Sequence, residues 1–210
     1  MLKNLIWDFD GTLFDTYPFM VTSFSKALQA HNIDQIEIDP DAIYEQMRIH
    51  SLGSAITKYS ARFGINQDSL LKSYQTFEHE EVELAKPFAG VKANLQKIVD
   101  NGGQNALLTH RNQQALALLE RYDLKQFFTD FVTSDNHFKR KPDPESLNHL
   151  IQQLALKRAE TAMVGDRELD VQAGNNAAIT TILFDPDYLI DSETADVVIH
   201  NYQALLPMIK

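Results

Sequence analysis

Six short apolar runs of β type recur along this chain, at 5–9, 106–108, 131–133, 161–164, 180–184 and a weaker 197–199. Helix-patterned stretches separate them. Val91, Leu95, Ile98 and Val99 share one helical face before Gly102, and Leu147, Leu150, Ile151 and Leu154 share another. Such alternation implies parallel strands joined by crossover helices. The pattern therefore predicts a doubly wound, Rossmann-like α/β core with its ligand site at the carboxyl ends of the strands.

One stretch breaks the alternation. Between about Thr16 and Ala85 the helical pattern continues with no strand run inside it. Met20, Phe24, Ala27 and Leu28 follow Pro18, a favourable first-turn residue, and Leu52, Ala55, Ile56, Tyr59 and Phe63 precede Gly64. A third helix is predicted to begin near Asp68 and carry Leu70, Tyr74 and Phe77 inward. The expected organisation is a core of residues 1–15 and 86–210 with an inserted helical domain at 16–85. Lys86-Pro87-Phe88-Ala89-Gly90 marks the return hinge.

Composition narrows the chemistry. With 210 residues and 44% hydrophobic content the chain can bury a substantial core. A formal net charge of −10 repels nucleic-acid backbones and anionic membranes, although a local cationic pocket is compatible with it. No cysteine is present, so covalent catalysis must use oxygen or nitrogen. The first apolar run stops at Asp8, too short for the apolar region of an export signal, and no run is long enough to span a bilayer. A soluble, cytoplasmic protein is the expectation.

Carboxylates and a few polar groups gather at the predicted strand ends. Asp8 and Asp10, in Asp8-Phe9-Asp10-Gly11-Thr12, directly follow the first run. On an extended chain residues i and i+2 face one way, and two like charges so placed call for a cation. Asp-Gly is also ordinary turn chemistry, so the motif alone leaves both readings open. An EF-hand loop is excluded, because it needs glycine at the sixth position and here Gly11 is the fourth. Thr109 and His110 end the second run before a helix, where free amides and the helix dipole favour an anion. Strand termination and simple capping explain the same residues. Lys141 lies among Lys139, Arg140 and Pro142, an arrangement that also suits a solvated turn. Asp166 ends the fourth run, and Asp170 follows four residues on, a spacing that shares one helix face. Capping explains each acid singly. It does not explain why all of these residues fall where parallel strand ends converge.

Taken in order, Asp-Phe-Asp-Gly-Thr at 8–12, Thr109, Lys141 before proline and Gly-Asp-x-x-x-Asp at 165–170 resemble the haloacid dehalogenase superfamily of phosphohydrolases. The closest subgroup is phosphoglycolate-phosphatase-like, with a small α-helical cap after the first motif. The resemblance implies an aspartyl-phosphate formed on Asp8, with Asp10 as acid and then base. It implies Mg²⁺ held by the Asp8 carboxylate, the Asp10 carbonyl and Asp166, with Asp170 in support. Thr109 and His110 would hold phosphate, and Lys141 would neutralise charge and orient the nucleophile. Crowding by Asp8 is expected to keep Asp10 partly protonated. Arg48 and His50, between two helical patterns of the cap, are candidates for substrate choice. The implied partner is a small phosphorylated metabolite, and the protein is expected to be a monomer or homodimer. Gly165-Asp166 with Asp170 favours phosphatase over sugar-phosphate mutase, and Asp10 argues against carbon–halogen chemistry. A receiver-type phospho-acceptor is the alternative of another class; Asp10 and the cap argue against it. Arg167 replaces the small residue common after the first acid of the last motif, and Asn176-Ala177-Ala178 stands where glycine usually follows alanine.

Overall fold

A computed structural model describes residues 1–210. Six parallel strands form one sheet: β1 Asn4–Trp7, β2 Asn105–Leu108, β3 Phe128–Val132, β4 Thr161–Gly165, β5 Thr180–Phe184 and β6 Val197–Ile199. Their order is β3-β2-β1-β4-β5-β6. From β1 the chain winds outward through β2 and β3, then returns to lay β4 on the other side of β1. The switch point, where ligands bind in such sheets, is therefore the carboxyl end of β1 and β4. Every predicted run became a strand. The central strands β1, β2 and β4 are buried along their whole length, which is why their apolar runs are continuous. β3 begins three residues before its predicted start. It is an edge strand with exposed Thr129 and half-buried Asp130, so an apolar run reports only part of it.

The chain divides into two compact units, residues 1–14 with 87–210 and residues 15–86. In the first, α5 Val91–Asp100, α6 Gln114–Arg121, α7 Glu145–Gln153 and α8 Glu168–Asn176 alternate with the strands. Leu147, Leu150 and Ile151 of α7 pack with Ile6, Ala106, Leu108 and Met163 of three strands. The second unit holds α1 Tyr17–Ala30, α2 Pro40–Glu45, α3 Leu52–Phe63 and α4 Gln67–Glu81. Phe24 of α1 is its centre, with Tyr59 edge-on at 5.3 Å and Tyr74 at 6.1 Å. Gly64 ends α3 in the left-handed conformation at φ 67°, and Asn66 caps α4 through Ser69 N–H. The unit's two ends are tied by Asp15 N–H donating to the Lys86 carbonyl at 3.0 Å.

Candidate active site

The sequence leaves β1 in a tight turn. Asp8 N–H still donates to the Val164 carbonyl at 2.9 Å, continuing the ladder to β4. The Phe9 carbonyl then accepts from the amides of Leu13 and Phe14, both at 3.0 Å, and Gly11 takes φ 67°, a conformation open to a residue without a Cβ. The Phe9 and Phe14 rings stack at 4.6 Å and brace the turn. Asp8 is gathered with Asp166 and Asp170, whose carboxylate oxygens lie within 4.8 Å of one another, all three buried. Asp10 instead meets Arg111, whose Nη2 donates to Asp10 Oδ1 at 2.7 Å and whose Nε donates at 3.1 Å. Asp10 is thus ion-paired with a guanidinium, a partner the motif itself does not announce.

Lys141 is the buried cation of the cluster, with its side chain wholly shielded from solvent. Its Nζ donates to Asp8 Oδ1 and to Asp170 Oδ1, each at 2.5 Å. The solvated-turn reading therefore does not hold for this lysine, although its neighbours Lys139 and Arg140 are exposed. Burial pushes its ammonium down, but Asp170 and Asp8 outweigh that and hold it above the usual lysine range. Asp170 is held below the usual carboxylate range because Lys141 and Arg167 outweigh its burial. Asp8 goes the other way. Burial raises it, Lys141 offsets only part, and Asp170 and Asp166 raise it further, to about 7. One ammonium between two carboxylates cannot neutralise both.

Asp166 and Asp170 do not share a helix face as their spacing predicts. Asp166 precedes α8, Arg167 is extended at φ −133°, and Asp170 sits in the helix's first turn with Oδ2 accepting from Arg167 N–H at 3.2 Å. The two acids converge because Asp170 folds back over Gly165. A Cβ at Gly165 would lie 2.2 Å from the Asp170 Cβ. Gly165→Ala is accordingly expected to push Asp170 off Lys141. Overpacking of this kind costs about 1–3 kcal/mol. Activity should fall at least about tenfold with a lower melting temperature, checked by kinetics beside thermal unfolding; unchanged activity would show that Asp170 needs no such close approach.

The supporting polar groups come from three segments. Thr12 is buried, its hydroxyl donates to Asp166 Oδ1 at 3.4 Å, and its carbonyl accepts from the buried Tyr202 hydroxyl at 2.7 Å. Burial, with Asp166 and Asp8 nearby, raises that phenol well above its usual range, so it remains a donor. Thr109, also buried, accepts from Arg111 N–H through Oγ1 at 3.0 Å and keeps its own O–H for an acceptor. His110 accepts the Lys141 amide through Nε2 at 3.2 Å, so that nitrogen carries no proton for a phosphate. Burial, reinforced by Lys141 and Arg140, lowers the imidazole to about 3 and keeps it neutral. It supports the lysine's loop. Arg48 and His50 belong to the helical unit. The stretch between the two helical patterns holds α2 and a π-helical turn at Gln46–His50 that carries Met47 and Arg48 inward. Arg48 is 1% exposed, with its guanidinium 5.3 Å from the Tyr17 ring centre. It is not a solvated surface cation; His50 is exposed. Arg111, Thr12 and Tyr202 are not marked as site residues by the sequence, since nothing local reveals partners 101 to 190 residues away.

The cluster fits a hard divalent cation. Its donors are carboxylate oxygens, the three acids outnumber the Lys141 ammonium by two when ionised, and buried Asp8 Oδ2 has no hydrogen-bond partner. Both Asp170 oxygens are engaged already, by Lys141 and by Arg167 N–H, which suits a supporting position.

A family model described as haloacid dehalogenase-like hydrolase matches residues 5–184. The chain belongs to that family. A pyrophosphatase PpaX from Halalkalibacterium halodurans is 26% identical over 207 residues, covering 91% of this chain and 93% of that one. Among solved structures, a hydrolase from Streptococcus pneumoniae is 32% identical with a TM-score of 0.64, covering 91% of this chain and 94% of that one. A structure described as a predicted phosphoglycolate phosphatase from Haemophilus somnus has a TM-score of 0.83 at 18% identity, covering 99% and 97%, a likeness of fold. No helix of this haloacid dehalogenase-like chain is long and apolar enough to cross a membrane.

Proposed function

We propose that the chain is a cytoplasmic, magnesium-dependent phosphatase that takes a phosphoryl group from a small phosphorylated metabolite onto Asp8. The observation that carries this reading is the Asp8 carboxylate at the sheet's switch point, aimed by Lys141 through Oδ1 and ringed by Asp166 and Asp170. The Asp8 carboxylate attacks phosphorus, and the bond from phosphorus to the leaving oxygen breaks with its electron pair moving to that oxygen. Asp10, once released from Arg111 and protonated from solvent, gives that oxygen its proton. In the second half Asp10 takes a proton from water, the water oxygen bonds to phosphorus, and the Asp8 ester opens to return the carboxylate and release phosphate. Thr109 supplies a hydroxyl to the phosphoryl oxygens, and Lys141 offsets the negative charge that would otherwise repel a phosphate from Asp8. Magnesium, held by Asp8, Asp166 and the Asp10 carbonyl, would supply further positive charge to screen the phosphoryl oxygens. The net charge of −10 gives no general attraction for anions, which is consistent with recognition by these few buried groups rather than by a surface field.

The helical unit is proposed as the cap that sets substrate choice, in keeping with its insertion between β1 and β2. Two substrate classes stand out. Phosphate monoesters follow from the sequence motifs, and pyrophosphate is suggested by the relative named a pyrophosphatase. The test is phosphate release from a panel containing both, in chelator and after magnesium is restored. Activity should vanish with chelator and return with magnesium, and rapid acid quench should trap phosphate on Asp8. Full activity in excess chelator, or turnover without an adduct, would overturn the reading.

A further inference from the structure

Resting on the phosphatase reading above, we propose that Arg111 determines specificity by binding an anionic group on the leaving portion of the substrate, so that the preferred substrates carry a carboxylate or a second phosphate beyond the bridging oxygen. The position follows from Asp10. An acid that serves the leaving oxygen stands on the leaving-group side of the transferred phosphoryl, and the Arg111 guanidinium is fastened to that same carboxylate by Nη2 at 2.7 Å and Nε at 3.1 Å. A leaving group that reaches Asp10 therefore meets Arg111 next.

The cation is built to stay there. Its amide donates to Thr109 Oγ1 at 3.0 Å, and its carbonyl accepts from Ser134 N–H at 3.0 Å, so the backbone is pinned from both sides. Nη1 donates to Gln114 Oε1 at 3.2 Å, which sets the plane of the guanidinium from the edge opposite Asp10. Its side chain is 8% exposed, against 24% for Asp10. A shielded guanidinium in a fixed plane matches a carboxylate or phosphate in fork geometry, which a lysine cannot reproduce. A leaving group with an anion can replace Asp10 on that fork and free the acid, whereas a neutral leaving group leaves the ion pair closed. Such polar sites discriminate strongly, because the wrong substrate leaves a charged group unmatched.

The test compares the wild type with Arg111→Gln and Arg111→Lys on pyrophosphate, a carboxylate-bearing phosphate monoester and phenyl phosphate, with far-UV circular dichroism as the folding check. Arg111→Gln should lower kcat/KM for the two doubly anionic substrates, relative to phenyl phosphate, by roughly 10- to 100-fold, mainly through KM, as loss of a charged hydrogen bond does. Arg111→Lys should recover part of it. A purely structural neutralisation of Asp10 would instead depress all three substrates equally, and that result overturns the proposal, as does an unchanged preference. A second measurement does not depend on turnover. Titration of pyrophosphate and orthophosphate into Asp8→Asn protein, with and without Arg111→Gln, should show the preference for pyrophosphate falling by about tenfold or more when Arg111 is replaced. If no substrate is hydrolysed by the wild type, the phosphatase reading fails while this binding arm still decides the role of Arg111; an unchanged preference there overturns it.

Discussion

Lys141→Ala is expected to cost the protein both turnover and stability, because it removes the one ammonium in contact with the buried carboxylates of Asp8 and Asp170. Breaking a buried ion pair from one side costs about 3–5 kcal/mol, since a desolvated charge is left without its partner. In a chain of this size that corresponds to a fall in melting temperature on the order of 10 °C. Turnover should drop by roughly a hundredfold or more, the usual loss when one positioned electrostatic group is taken from a site of developing negative charge. The pH dependence carries the diagnosis. In the wild type the raised lysine contributes stability that is fully present below its unfolded pKa and fades only as pH rises through its higher folded value. In the variant the orphaned carboxyls are pushed upward, so the folded state gains by protonating them. The gap in melting temperature, measured in chelator, should therefore be widest above neutrality and narrow as pH falls toward 4. A constant gap across that range would mean that lost packing, not lost charge, accounts for the effect.

Asp8→Asn is expected to abolish turnover while making the protein more stable. Without the carboxylate no phosphorus–oxygen bond can form, so neither phosphate release nor a trapped adduct should appear. The gain in stability follows from the acid's environment. Folded Asp8 is raised by burial, against the partial offset of Lys141, from the ordinary aspartate value of 3.8 to about 7. Between those values the folded chain holds a proton that the unfolded chain has released, so stability falls as pH rises from about 4 to about 7 and stays low above it. Asparagine removes that cost. In chelator the variant should melt several degrees above the wild type at pH 8, with the two curves converging near pH 4. A lower melting temperature at pH 8 would contradict the account of Asp8 as a destabilised, functionally retained charge. Asp10→Asn should behave differently: turnover falls roughly a hundredfold or more, least for good leaving groups, and the adduct on Asp8 persists because no base activates water. The quench experiment separates these two acids by outcome rather than by degree of loss.

Much of the frame is legible from local pattern. The central strands read as unbroken apolar runs because β1, β2 and β4 are covered on both faces, and the order of the polar residues behind them follows from the chain itself. Asp8 behind β1, Thr109 behind β2 and Asp166 behind β4 could therefore be assigned to one end of one sheet. Helices α1, α3 and α4 were equally plain, through Pro18, Gly64 and the spacing of Phe24, Tyr59 and Tyr74. The turn at Gln46–His50 was not, because a π-helical segment has neither the 3.6-residue period nor the alternation that sequence reading detects.

Which charges meet is a different matter. Asp8 pairs with Lys141 across 133 residues, Asp10 with Arg111 across 101, and Thr12 with Asp166 across 154. No periodicity reaches that far. These pairings depend on β4 returning beside β1, on the turn at Phe9–Gly11 that leaves Asp10 within reach of Arg111, and on Gly165 admitting Asp170 over its bare Cα. The sequence alone determined the kind of sheet and which residues stand at its carboxyl edge, because burial on both faces and chain order are written locally. Only the tertiary structure decided which acid is neutralised by which cation, because electrostatic partnership is a matter of a few ångströms between groups that strand order and backbone turns bring together.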